Sequence, residues 1–258
     1  MRNFLGKHLP LFSLFLGLYL TPATLVRAES PETAPEELKK ALREIETAAN
    51  RQDIEGVMQH YSPNFENTDG LRYSTLEEAL NALWERYPRL EYTIELQSWE
   101  TEGSELVAET VTKTVGSEKI EGRWMQLDST IHSRQYFQDD LLVRQEILSE
   151  RTEVTSGDNP PEVEVNLPER VEVGEEYSFD VIVQEPLGND VLLGAAKEEA
   201  TRSDRYLNPS NFELEILPGG GIFKRVSAPR LPDNHWLSAI IVRGDGMRII
   251  TQRVRVED

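Results

Sequence analysis

Few side chains in this sequence could do chemistry, and their spacing narrows the field further. Cys is absent, which removes thiol nucleophiles, disulfides and Cys-based metal sites. His8 lies in an N-terminal segment expected to be removed, and His60, His132 and His235 show no metal-ligand spacing, so neither a metal nor a cofactor is expected. Asp128 and His132 fall on one face of an expected strand, but four residues of extended chain separate them by about 13 Å, too far for a direct acid–base pair. Gly219-Gly220-Gly221 reads as a loop between strands rather than a phosphate cradle opening a helix. No Ser sits in a nucleophile elbow. Asp69 is left as the weak catalytic candidate, and the Gly70 that follows it gives the pair the chemistry of a turn.

The elements that must position these residues can be read from periodicity. Leu38, Leu42, Ile45 and Ala49 share one helix face. Asp53 caps a short second helix with Ile54, Val57, Met58 and Tyr61 inward. Ser74-Thr75-Leu76-Glu77 reads as a capping box opening a third helix, whose stripe is Leu76, Leu80, Leu83, Trp84 and Tyr87, and Pro88 ends it. From Leu90 the period becomes two: Leu90, Tyr92, Ile94 and Leu96 alternate with polar residues. Further strands are expected near 104–115, 119–137 and 141–151, with Asp139-Asp140 as a tight connection. Beyond this the chain reads as short strands, including Val163/Val165, Tyr177 to Val183, Phe212 to Ile216 and Trp236 to Val242. Arg243-Gly244-Asp245-Gly246 forms a hairpin turn there, so its Arg-Gly-Asp is read as turn chemistry rather than an adhesion motif.

These patterns divide the chain into a signal peptide (1–28), a disordered leader (29–35), a helix-then-strand domain (36–151), a polar linker ending in Pro160-Pro161 (152–161) and an all-β domain (162–258). The expected fold is an α+β cone, helices packed in a curved antiparallel sheet, followed by an immunoglobulin-like β-sandwich.

The stretch from Asp53 through His60-Tyr61-Ser62-Pro63-Asn64-Phe65 to Asp69-Gly70 resembles the nuclear transport factor 2-like superfamily, within it the ketosteroid isomerase and SnoaL-like cones. That resemblance implies a cone fold and places Asp69 where the isomerases keep the Asp that shuttles the substrate proton. Their oxyanion-holding Tyr and Asp fall at Ile45 and Ser133 here, so the resemblance does not carry the oxyanion hole. The same register sends Met125, Leu127, Ser129, Ile131, Ser133, Gln135 and Phe137 into the cone, and Tyr61, Trp84, Tyr87, Tyr92, Met125, Ile131 and Ser133 are the expected pocket lining. Trp124, Asp128, His132, Arg134 and Tyr136 then form an outer interface, the face on which members of the superfamily commonly pair two subunits. Segments 144–151 and 180–188 are similar to exported cyanobacterial proteins that bring no known activity.

Charge and the N-terminus bound the partners. Arg2 and Lys7 precede the apolar run Leu9 to Leu20, and Val26-Arg27-Ala28 offers a cleavage site, so export to a periplasm or thylakoid lumen is expected, with no stable membrane anchor after cleavage. Removing Arg2, Lys7 and Arg27 takes the net charge from −19 to −22. Such acidity repels phosphate backbones, and nucleic acid is not an expected partner. The sequence thus points to an exported non-enzymatic binding or scaffold protein that meets a protein partner or a second copy through the outer sheet face. The alternative is an enzyme or carrier for a small hydrophobic molecule in the cone.

Overall fold

The computed structural model describes residues 28–120, 122–185 and 191–258. The expected signal peptide therefore lies, except for Ala28, outside the described residues. The leader is not a free tail: Pro31–Thr33 form a 3-10 turn, Glu29 exchanges two backbone hydrogen bonds with Trp99, and the Trp99 indole donates to Thr33 at 3.1 Å. The expectation of disorder for 29–35 is corrected by these contacts.

Helix α1 spans Glu36–Asn50 and buries Leu38, Ala41, Leu42, Ile45, Ala48 and Ala49, the face that its spacing predicts. The Asp53 carboxylate accepts the Gly56 N–H at 2.9 Å and caps α2, Ile54–Met58. Strand β1 covers Tyr61–Asn67, and α3 covers Tyr73–Arg86. That helix starts earlier than its sequence signal suggests, because Thr75 Oγ1 accepts the Arg72 N–H at 2.8 Å. Strands β2 (Leu90–Glu102), β3 (Glu105–Ile120), β4 (Arg123–Gln138) and β5 (Leu141–Gly157) form an antiparallel meander. The C-terminal part adds β6 (Val163–Asn166), β7 (Arg170–Glu172), β8 (Glu176–Val183), β9 (Leu193–Ala200), α4 (Ser203–Leu207), β10 (Glu215–Ile216), β11 (Gly221–Ser227), β12 (Asp233–Arg243) and β13 (Gly246–Glu257).

These strands make one ten-stranded sheet in the order β10-β9-β12-β13-β5-β4-β3-β2, with β1 beside β5 and β7 beside β13; β11-β8-β6 form a second sheet. This overturns the expected fold class. The protein is mainly β, and the helix-bearing cone is only its N-terminal part rather than a domain beside an independent immunoglobulin-like sandwich. Strand β5 joins the halves: its start lies parallel to β1, while Arg151 to Gly157 pair with β13. Thr152 to Ser156, expected in the linker, are therefore paired on both sides, by β4 and β13, and Gly157 pairs with β13.

The crossing that follows is clamped as well. Arg243 donates to the Asn159 carbonyl at 3.1 Å and to Asp245 at 2.9 Å, and the Asn159 side chain donates to Asp245 at 3.1 Å. Gly157 sits at φ +94°, where a Cβ would collide with the Asp245 carbonyl. The Arg-Gly-Asp segment is thus engaged within the chain.

Three apolar clusters fill the structure. In the C-terminal part, Phe179, Val181, Ile222 and Val226 of the small sheet pack on Leu237, Ile241, Ile250 and Val254 of the long one. In the N-terminal part α1 packs on Ala108 and Phe137, and Trp84, Tyr87, Leu90 and Tyr92 cluster with Val57 and Met58.

Candidate functional site

Asp69 is positioned by a tight turn. Asn67 Oδ1 accepts the N–H groups of Asp69 and Leu71 at 3.0 and 2.8 Å, and Gly70 takes φ +79°. The turn aims the carboxylate away from solvent at a residue 184 positions away in the chain. Arg253 donates from Nη1 to Asp69 Oδ1 at 2.8 Å and from Nη2 to Oδ2 at 2.6 Å, a bidentate pair with both side chains fully buried. Arg253 Nη2 also donates to Glu150 at 3.0 Å, the Trp236 indole donates to Glu150 at 2.8 Å, and the Tyr206 hydroxyl donates to Asp69 at 2.6 Å. Tyr206 and Trp236 meet edge to face, 5.0 Å between centroids.

Burial would raise the Asp69 carboxyl pKa, but the hydrogen bonds and charge of Arg253, with help from Tyr206 and Thr201, outweigh it and hold the pKa below the usual value. Burial, with the charges of Glu150 and Asp69, pushes the Tyr206 phenol well above its usual value. A carboxylate so stabilised is a poor general base, because catalysis near neutral pH calls for a pKa raised toward it. The arrangement is a lock between the two ends of the chain. Sequence reading found Asp69 but not Arg253, Glu150, Tyr206 or Trp236, since nothing local marks an Arg on an alternating strand as buried.

The interior register of β4 follows the expected alternation: Ser129, Ser133, Gln135 and Phe137 are buried, Met125, Leu127 and Ile131 are half-buried, and Asp128 and His132 are exposed. The interior is less apolar than expected. Ser133 bonds Thr110 at 3.1 Å and accepts from Gln145 at 3.2 Å, and Ser129 bonds Thr152 at 2.8 Å. Of the residues expected to line a pocket, Trp84 donates to the Tyr92 hydroxyl at 3.0 Å, Tyr87 is buried in the same cluster, and Tyr61 packs edge-on against Phe65 at 4.9 Å. Burial pushes the Tyr61 phenol pKa up to about 12. These aromatics pack on one another and on their apolar neighbours.

The outer face is not one aromatic patch. Tyr136 is buried, with the Arg144 guanidinium 3.3 Å from its ring centroid. Arg134 is held by Glu109 at 3.0 Å and Glu100 at 3.6 Å. His132 is exposed opposite Val111 and Ser149. Trp124, at the other end of β4, is 49% exposed, and Arg89 stacks 4.9 Å from its centroid.

Beside Trp124 lies an open groove of about 920 Å³ that none of the expected pocket residues line. Two cross-strand rows cross it: Glu91, Val115, Asp128 and Glu153 in one, and Ser117, Gln126, Thr155 and Arg248 in the other. Arg89, which stacks on Trp124, also lines it. Because Arg248 belongs to β13, the groove exists only where both parts of the chain meet. Among the described residues no group of His, Asp or Glu could hold a metal ion, and no helix is long and apolar enough to cross a membrane.

A family model described as a domain of unknown function (DUF8623) matches residues 158–257. The match begins just after β5, leaving outside it the strand that pairs with β13. No curated protein matches the chain. Solved structures similar to part of the chain include Bd1075 of Bdellovibrio bacteriovorus, with 16% identity, a TM-score of 0.32, and coverage of 43% of this chain and 38% of that one. A SnoaL-like polyketide cyclase of Agrobacterium tumefaciens follows with 14% identity, a TM-score of 0.32, and coverage of 44% and 91%. A ketosteroid isomerase of a Mycobacterium species has 12% identity, a TM-score of 0.28, and coverage of 43% and 91%. At such values the likenesses carry no activity to this chain, which spans 38% of the length of the first of them.

Proposed function

We propose that this chain is an exported, non-enzymatic binding protein whose working surface is the outer sheet face around the groove beside Trp124. The groove carries the reading: it is large enough for a ligand, since binding sites usually run from about 300 to 1,000 Å³, and the half-exposed Trp124 lies two residues along β4 from Gln126 of its lining and against Arg89, another lining residue. The carboxylate that would serve an enzyme is bound to Arg253 instead. Export rests on the basic start, apolar run and small-residue cleavage site of the N-terminus.

A photo-crosslinker tests the surface without presuming what binds. A benzophenone side chain placed at Gln126 inserts into C–H bonds of any chemical class. An adduct is expected there in cells that make the protein, and none at Phe223, an exposed aromatic of β11 on the other sheet. Absence of an adduct at Gln126, or equal labelling at both positions, removes the reading.

A further inference from the structure

The groove has features that choose among ligand classes. Its charged residues nearly cancel, with Glu91, Asp128 and Glu153 facing Arg89 and Arg248, in a chain whose net charge is −19. Arg248 is paired with Glu153, and Arg89 is stacked on Trp124. Nothing there selects a strongly ionic ligand. The side chains of Glu91, Asp128, Gln126 and Ser117 make no hydrogen bond among the described residues, leaving planar acceptors and donors turned toward the groove. An apolar ligand would cover these groups without satisfying them, which is unfavourable.

Trp124 supplies the complementary element. Residues 124, 126 and 128 share one strand face about 6.6 Å apart, so the ring borders the polar rows. Arg89 covers part of it, and 49% of the residue remains accessible. A flat aromatic surface beside side chains able to form paired hydrogen bonds suits a molecule with an apolar C–H face and a rim of hydroxyls. The trough is open along its length rather than enclosed, which suits an extended chain.

Resting on the binding reading above, we infer that the groove binds a neutral saccharide chain, with one sugar ring stacked on Trp124 and neighbouring hydroxyls bonded by Gln126, Asp128 and Glu91. The test is calorimetric titration of the full chain with cellohexaose and with chitohexaose, followed also by tryptophan fluorescence. Binding of at least one is expected, with free glucose much weaker. Trp124→Ala should weaken it by about tenfold or more, consistent with loss of a stacked aromatic. Trp124→Phe should keep part of the affinity, and both variants should keep the wild-type melting temperature. Asp128→Ala should weaken binding less than Trp124→Ala. No binding of either oligosaccharide, or unchanged affinity in Trp124→Ala, overturns the inference. If in that case the crosslinker at Gln126 still captures a peptide or a second copy, the binding reading stands and only the saccharide is wrong. If it captures nothing, both fall.

Discussion

At the scale of single residues, Asp69 shows how one carboxylate can serve structure in place of catalysis. Its pair with Arg253 is bidentate, buried and supported by Tyr206, so removing Asp69 leaves Arg253 buried with Glu150 as its remaining carboxylate partner. Asp69→Ala should therefore cost about 3 kcal/mol of stability, read from denaturant unfolding, whereas Asp69→Leu with Arg253→Met and Glu150→Gln, which removes every charge of the cluster, should recover part of it. A small loss in the single variant would mean that the cluster opens to water. The pair also sets a pH dependence. The folded carboxyl titrates below its usual value of about 3.8, so its contribution is present above that pH and is lost as the pH falls through the folded pKa. The acid limb of the wild-type stability curve should be steeper than that of Asp69→Asn; superimposable limbs would place the relevant titration elsewhere.

At the scale of elements, β2 is an edge strand that α1 covers through side chains. Asn50 accepts the Tyr92 N–H at 2.7 Å and donates to its carbonyl at 2.9 Å, and Glu46 accepts the Ile94 N–H at 2.7 Å. The Asn50 carboxamide thus imitates a neighbouring strand and blunts an edge that would otherwise template aggregation. Asn50→Ala should cost about 1–3 kcal/mol by unpairing those backbone groups and should raise concentration-dependent association in sedimentation; a stable monomeric variant would show that water satisfies the edge. Much of this level was legible in the sequence: the face of α1, the Asp53 cap and the alternation that places Ser133 inside and His132 outside. Strand β9 was not. Its Leu193-Gly194-Ala195-Ala196-Lys197-Glu198-Glu199-Ala200 is rich in helix formers, and pairing with β12 and β10 overrides that propensity. Thr152 to Gly157 misled in the opposite direction. Its polarity resembles a linker, yet Thr152 bonds Ser129, and Glu153 is met by Arg151 and Arg248. Ser129 and Arg248, far away in the sequence, meet Thr152 and Glu153 there, and no local pattern reports them.

At the scale of the whole molecule, the question is whether the chain unfolds as two units or one. Separate domains would be joined by an exposed crossing with few contacts. Here β5 and β13 share a ladder from Arg151 to Gly157, Arg253 ties the C-terminal strand to the Asp69 turn, and the crossing after Gly157 is clasped by Arg243 and Asp245. Unfolding the C-terminal part alone would strip a partner from β5 and leave Asp69 buried without its cation, so each part raises the cost of opening the other. A single calorimetric transition is expected, with calorimetric and van't Hoff enthalpies in agreement. Limited proteolysis should spare residues 152–157, and a chain ending at Gly157 should be poorly soluble because it exposes the β5 edge. Gly157→Ala offers the sharpest check, since the strained φ and the clash with Asp245 act at the junction itself. It should lower one shared melting temperature. Two transitions, of which only one moves, would show that the continuous sheet joins two independently stable domains.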